Sequence, residues 1–160
     1  MIRPPAAIDY VLPGTFHALM YRKILVALEN SRADQSLLPH VEQLARLCQA
    51  QLLLVHVADG WAARHFDKLK LAESEEMKAD RDYLEGTAAK LRVAGLEVSV
   101  NLALGDPPAE ILRAAESEGC DLIAMASHGH RLIGDIIHGS TIEQVRHKAN
   151  VPLLVVRAAR

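Results

Sequence analysis

Residues 121–148 read DLIAMASHGHRLIGDIIHGSTIEQVRHK, and the architecture of the whole chain can be worked out from them. The apolar run at residues 121–126 is typical of a strand buried on both faces of a parallel sheet. Residues 140–148 have the composition of a short helix. A loop with three glycines and three histidines joins the two. A strand that leads through a loop into a helix is the repeating unit of an α/β fold.

The rest of the chain repeats this unit. Further strands are predicted at residues 23–28, 51–57, 96–102 and 151–156. One helix is predicted to begin near Ser36, and a second is predicted to run from about residue 70 to Gly95. A third is predicted to begin at Pro107, after Asp106 as its capping residue. Pro39 is compatible with the first helix only in its first turn. Strict alternation of strand and helix predicts an α/β doubly wound, Rossmann-like fold: a five-stranded parallel sheet with helices on both faces.

Length and composition limit the function. The 160 residues suit one domain, half of them are apolar, and 18 basic residues face 20 acidic ones. This balance argues against nucleic acid as a partner. No apolar stretch approaches the about 20 residues of a membrane span, and residues 1–20 do not resemble a signal peptide. We therefore expect a cytoplasmic protein with an N-terminal arm or extension at 1–20 and one domain at 21–160. The two cysteines, Cys48 and Cys120, are expected to be buried free thiols.

The quoted loop has features of a phosphate-binding site. Ser140 and Glu143 fit the capping box S-x-x-E, which places Gly139, Ser140 and Thr141 at a helix start where free N–H groups favour an anion. Gly129 allows close approach to the backbone at the end of the strand. The side chains able to donate hydrogen bonds nearby are Ser127, Ser140, Thr141, His130 and Arg131. Glycines and a capped helix also occur in α/β proteins that bind no ligand, so this alternative stays open.

Other kinds of site fit less well. Gly129 and Gly134 have the spacing of a P-loop, but the lysine and hydroxyl residue that should follow are missing. No G-x-G-x-x-G follows the first strand, and no G-x-S-x-G marks a hydrolase nucleophile. His56, at the end of an apolar strand, is interpreted as a satisfied core residue rather than a catalyst.

The histidines of the loop invite a metal hypothesis. His128, His130 and His138 lie near Asp135, but zinc needs three or four converging ligands, and sequence cannot show convergence. We favour loop donors or surface groups for these histidines.

The stretch A-S-H-G-x9-G-S-T, residues 126–141, resembles the universal stress protein family, whose nucleotide-binding members carry G-x2-G-x9-G-[ST]. KILVALENS, LLLVHV, GDPPAEIL and VPLLVV resemble other family segments in the same order, so the resemblance spans residues 21–157. It implies strand order 3-2-1-4-5 and a site between strands one and four. Its expected ligand is ATP, or the related AMP or ADP, and any accompanying Mg²⁺ would be held by the phosphates. It also implies a role in the stress response and signalling, and a homodimer formed through the last strand, Val151 to Val156.

The resemblance and the loop chemistry together give a candidate site. Its members are Ala27, Leu28, Glu29, Val57, Met125, Ala126, Ser127, Gly129, His130, Gly139, Ser140 and Thr141. Two positions depart from the family pattern: Ala126 replaces a glycine, and Glu29 replaces the usual aspartate. The alternative is therefore the same fold with a non-functional nucleotide site, acting as a dimeric interaction protein. A third hypothesis is an enzyme acting on an adenine nucleotide. Without a Walker lysine or an assigned general base, at most slow ATP hydrolysis is expected.

Overall fold

The structure is a computed structural model that describes residues 20–58, 75–127 and 136–159, with residues 136–140 described by their backbone alone. Its strands are β1 Lys23–Ala27, β2 Gln51–Ala58, β3 Val98–Leu104, β4 Leu122–Ser127 and β5 Leu153–Arg157. Its helices are α1 Asp34–Cys48, α2 Glu75–Val93, α3 Pro107–Ser117 and α4 Ile136–Lys148. These described elements alternate along the chain as predicted.

The five strands form one parallel sheet in the order β3-β2-β1-β4-β5. β1 lies in the middle, where Leu25 is opposite Leu53 of β2 and Ile123 of β4. The chain winds outward to β3 and then crosses back to β4, so the winding direction reverses between β1 and β4. This confirms the predicted doubly wound fold and strand order.

Alternate residues of the buried strands face two separate apolar layers. Ile24 and Val26 pack into the cluster with α1 and α2, whereas Leu25 and Ala27 pack into the cluster with α3 and α4. Because successive side chains of a strand point to opposite faces, this division follows directly from the apolar runs. Each strand in the middle of the sheet is therefore apolar at nearly every position, as parallel sheets require.

The first helix begins earlier than the sequence predicted. α1 starts at Asp34, so Pro39 is the sixth residue of the helix rather than part of its first turn. A proline there removes one bond of the i to i−4 series. The start predicted near Ser36 lies two residues after the observed one, because the prediction placed the proline in the first turn.

The position of the residue before α3 was predicted correctly, but the capping hydrogen bond predicted for it is not formed. Asp106 is extended (φ −81°, ψ 117°) and Pro107 is the first helical residue, as expected. The Asp106 side chain makes no capping hydrogen bond. Its extended backbone is the conformation that a following proline favours, so the proline accounts for this boundary.

The described helices include none that is both long and apolar enough to cross a bilayer. Cys48 and Cys120 are both buried and free, as expected. Burial of the Cys120 thiol raises its pKa to about 11.

Candidate functional site

The carboxyl ends of β1 and β4 meet at the point where the sheet reverses its winding. Ala27, the last residue of β1, is paired with Met125 of β4 and with Val55 of β2. The amide of Leu28 extends the pairing by donating to the Val55 carbonyl at 2.8 Å. In open α/β sheets the crevice at such a reversal is the usual ligand site.

Three of the predicted site residues lie on the same face of the sheet. Ala27, Val57 and Met125 all belong to, or pack against, the apolar cluster that α3 and α4 cover. Val57 is partly exposed near the carboxyl end of β2, while Ala27 and Met125 are 7% and 5% exposed. These three side chains, called the apolar floor below, lie near the carboxyl ends of β1, β2 and β4.

Two predicted site residues point to the other face. Leu28 and Ala126 are buried in the cluster with α1 and α2. The methyl group of Ala126, which is 2% exposed, therefore packs into the core on the side opposite Ala27, Val57 and Met125. The side chains of Leu28 and Ala126 therefore do not line the crevice, and the amide and carbonyl of Leu28 are already bonded to Val55 and His56.

The turn after β1, residues 28–33, is organised by a buried carboxylate that the sequence did not reveal. Asp34 is 1% exposed and accepts hydrogen bonds from the amides of Glu29 (3.1 Å) and Ser31 (3.2 Å). The hydroxyl of Tyr83, from α2, donates to the same carboxylate at 2.7 Å. Three donors on one buried carboxylate satisfy it and fix the backbone of the turn.

Glu29 is held on both its backbone and its side chain. Its amide donates to Asp34, and its Oε2 accepts from the hydroxyl of Ser31 at 3.2 Å. The same Ser31 oxygen accepts from the amide of Ala33 at 3.1 Å. The turn therefore presents the Glu29 carboxylate in a defined orientation at the end of β1.

A second polar cluster lies beneath the turn. Nδ1 of His56 is 2.8 Å from the Leu28 carbonyl, and Nε2 is 3.2 Å from Oδ2 of Asp80. The side-chain amide of Asn30 donates to Oδ1 of Asp80 at 3.1 Å. The interpretation of His56 as a satisfied core residue is confirmed, because both ring nitrogens have partners.

The start of the last helix differs from the prediction. α4 begins at Ile136, four residues before the predicted cap at Ser140. In an α-helix each N–H bonds to the carbonyl four residues earlier, so the amides of Ser140 and Thr141 fall within the helical series. The amides left without helical partners are those of the first turn, next to Ile136. Ser140 is therefore wrong as a capping residue, and Thr141 is a buried helical residue with 8% exposure.

Several predicted loop residues lie outside the described part of the chain. These are Gly129, His130 and Arg131, together with His128, Gly134 and Asp135 of the alternative hypotheses. Gly139, Ser140 and His138 are described by their helical backbone alone. Ser127 is the last residue of β4, and its carbonyl accepts from the amide of Ala158 at 2.8 Å. Across residues 20–58, 75–127 and 141–159, no group of three or more His, Cys, Asp or Glu side chains could hold a metal ion.

Related proteins share both this sequence pattern and this fold. The model of the Universal stress protein family matches residues 20–157. The chain is 31% identical to Universal stress protein MJ0577 of Methanocaldococcus jannaschii, covering 88% of this chain and 97% of that protein. It is 40% identical to Universal stress protein Slr1230 of Synechocystis, covering 92% of this chain but 46% of that longer protein.

Solved structures agree with these matches. The structure of MJ0577 has a TM-score of 0.70 at 31% identity and covers 89% of this chain and 99% of its own. The structure of an Archaeoglobus fulgidus universal stress protein in complex with dAMP has a TM-score of 0.64 at 22% identity. The match covers 86% of this chain and 99% of that chain. The structure of a universal stress protein in complex with cAMP has a TM-score of 0.65 at 16% identity. The match covers 87% of this chain and 98% of that chain. With the family model matching nearly the whole described chain, and with the sheet order and strand ends in place, this chain belongs to the universal stress protein family.

Proposed function

We propose that this chain binds an adenine nucleotide, ATP or the related AMP or ADP, in the crevice between the carboxyl ends of β1 and β4. The apolar floor of Ala27, Val57 and Met125 carries the proposal, because it lies on one face at the reversal of winding. A purine base suits such a floor, since ligand sites are mostly apolar with a few placed polar groups. Proteins of the same fold have been solved with dAMP and with cAMP, which supports an adenine nucleotide as the ligand class.

The polar part of the ligand would meet two sets of groups. The Glu29 carboxylate, oriented by Ser31, is suited to accept hydrogen bonds from ribose hydroxyls. The amides that the first turn of α4 leaves without partners inside the helix are suited to phosphate, because the positive end of a helix favours an anion. Ser127, Gly129, His130 and Gly139 remain predicted phosphate contacts, and Ser140 and Thr141 would contribute through their hydroxyls, because their amides lie within the helical series. Mg²⁺, where present, would be held chiefly by the phosphates, since it prefers oxygen ligands.

The two departures from the family pattern do not block this arrangement. The methyl of Ala126 is packed on the face away from the apolar floor, so it does not fill the proposed base site. Glu29 retains a carboxylate, although one methylene longer than aspartate. The second candidate, a dimeric interaction protein whose nucleotide site does not function, is based on these same two departures.

The biological role proposed here is that of a stress-response and signalling module that reports nucleotide occupancy. We place it in the cytoplasm, which agrees with two free, buried thiols. β5 is an edge strand with Val155 at 42% exposure, so pairing of two copies through β5 would cover an otherwise open edge. Residues 1–20 are proposed as an arm outside the domain at 21–160.

Calorimetry of purified protein with ATP, ADP and AMP, each with and without Mg²⁺, tests the proposal. We expect binding by at least one nucleotide and a large loss of affinity in Gly139→Val, which adds a branched side chain at the predicted phosphate contact. Phosphate release should stay at the level of slow hydrolysis. Mass spectrometry of small molecules freed from gently purified protein should detect the same nucleotide. No binding at millimolar ligand, with partner capture unaffected by Gly139→Val, would favour the interaction protein instead.

A further inference from the structure

Three elements are joined by polar contacts beneath the turn at residues 28–33. His56 comes from β2, Asp80 from the second turn of α2, and the Leu28 carbonyl and Asn30 from the turn itself. The contacts are 2.8 Å from Nδ1 of His56 to the Leu28 carbonyl, 3.2 Å from Nε2 to Asp80, and 3.1 Å from Asn30 to Asp80. The side chains of His56 and Asp80 are 12% and 11% exposed.

The partners of the His56 ring limit where its protons can lie. A carbonyl oxygen can only accept, so Nδ1 of His56 must hold a proton. With Asp80 ionised, Nε2 must hold a second proton, which makes the ring an imidazolium paired with a carboxylate. The neutral alternative moves one proton onto Asp80, but it keeps the same three contacts. Either way a proton is shared between β2 and α2 directly below the turn.

Core filling alone does not explain the pair. Buried ion pairs are often no more stabilising than apolar residues of similar size, because both ions lose their hydration. Position distinguishes this pair, because its remaining hydrogen bonds go to Leu28 and Asn30, which flank Glu29 on either side. Asn30 has φ +58°, a left-handed conformation that asparagine adopts more readily than most residues with a side chain. The bond from Asn30 to Asp80 joins the turn in that conformation to α2.

We infer that His56 and Asp80 are positioning residues for the proposed nucleotide site. His56 fixes the peptide group before Glu29, Asp80 fixes the side chain of Asn30 after it, and the two together hold the Glu29 carboxylate where the ligand would meet it. This inference rests on the proposed function, and it adds a link from the site to α2. Among the described residues, the charged and titratable groups of the adjoining turn are Glu29, Asp34 at the start of α1, and Tyr83 of α2, which bonds to Asp34.

The test uses substitutions that keep shape and remove single contacts. Asp80→Asn preserves the outline of the side chain but removes its charge and one acceptor. His56→Asn is short enough to reach only the Leu28 carbonyl, so it separates that contact from the one to Asp80. Asp121→Asn is the matched control, because Asp121 accepts from the amides of Arg22 and Lys23 at the opposite end of the strands.

Two measurements are made on each full-length variant: nucleotide affinity by calorimetry, and amide hydrogen exchange in the absence of ligand. A hydrogen bond to a charged group accounts for about a tenfold change in an equilibrium constant. We expect Asp80→Asn to lower affinity about tenfold and to raise exchange of the Glu29 and Ser31 amides by a similar factor. The affinity and the amide exchange of His56→Asn should lie between those of Asp80→Asn and those of the unmodified protein. Asp121→Asn should leave both quantities within about twofold.

The outcomes separate the two proposals. Unchanged affinity in Asp80→Asn, in a protein that does bind nucleotide, would overturn the positioning role and leave the proposed function standing. Absence of nucleotide binding in the unmodified protein would remove the proposed function. The positioning of the turn would then be decided by exchange alone, and unchanged exchange at Glu29 and Ser31 in Asp80→Asn would overturn it. An equal effect of Asp121→Asn on affinity would assign the loss to general destabilisation.

Discussion

The hydroxyl of Tyr83 donates a 2.7 Å hydrogen bond to Oδ2 of Asp34, and this bond ties α2 to the first turn of α1. Asp34 is almost fully buried and also accepts the amides of Glu29 and Ser31. The conformation of the turn that leads to the proposed site therefore depends on a helix that follows β2 in the chain. Removing any one donor leaves the carboxylate less well satisfied in a place where water does not replace it.

Replacing Tyr83 by phenylalanine removes the hydroxyl and keeps the ring. We expect Tyr83→Phe to lower the free energy of unfolding by about 1–3 kcal/mol, because a buried carboxylate loses one of its donors. Urea denaturation measures this change. Tyr21→Phe is the control, since Tyr21 packs against the same apolar cluster. Equal effects of the two substitutions would show that the bond to Asp34 contributes nothing specific.

The same contact helps to raise the pKa of the Tyr83 hydroxyl. Burial, and then the hydrogen bond and charge of Asp34, raise the pKa of the Tyr83 hydroxyl above its ordinary value. The folded state therefore keeps a proton that the unfolded state loses above its pKa of about 10. Stability from this group is present below that pH and is lost as pH rises further. Ultraviolet titration should show one tyrosine ionising later in the native protein than in urea. Ionisation of all tyrosines together would contradict this.

Cys120 should behave as an inert thiol. Burial raises its pKa to about 11, and its side chain is 6% exposed. Because the thiolate is the reactive form, iodoacetamide at pH 8 should label Cys120 rapidly in urea and very slowly in the native protein. The unfolded thiol ionises near 9.0, so this group lowers stability as pH rises from 9.0 towards 11. Rapid native labelling at pH 8, located by peptide mass spectrometry, would contradict the expectation.

The proposed dimer makes a prediction about the edge of the sheet. Val155 on β5 is 42% exposed, and a charge there would be buried if two β5 strands pair. We expect Val155→Lys to dissociate the dimer, as measured by light scattering or sedimentation. Val93→Lys, at 91% exposure on α2, is the matched control and should leave the mass unchanged. A monomeric unmodified protein, or a dimer that survives Val155→Lys, would contradict the proposal.

The strands were predictable because burial on both faces demands apolar residues at successive positions. KILVA of β1 is the clearest case. The glycine spacing around Gly139 led to the right family. These features depend on local composition, and local composition is what a sequence displays directly.

The helix starts and the polar contacts of the site were harder to predict from the sequence. Ser140 and Glu143 match a capping box, yet α4 begins at Ile136, since such a pattern also fits inside a helix. Asp34, Asp80 and Tyr83 were missed because each looks like an ordinary residue on a charged helix. Their roles arise only when α2 packs against the turn after β1. Contacts between residues distant in sequence leave no local pattern to read.

The most direct test of where the nucleotide binds is a nuclear magnetic resonance titration of the labelled protein with the tightest-binding adenine nucleotide. Amide signals of Leu28, Glu29 and Val57, at the carboxyl ends of β1 and β2, should shift in proportion to occupancy, together with Met125 of β4. Signals at the opposite end of the strands, such as Gln51 and Glu97, should stay in place. Saturable shifts confined to that opposite end, or none at millimolar nucleotide, would contradict a site between β1 and β4.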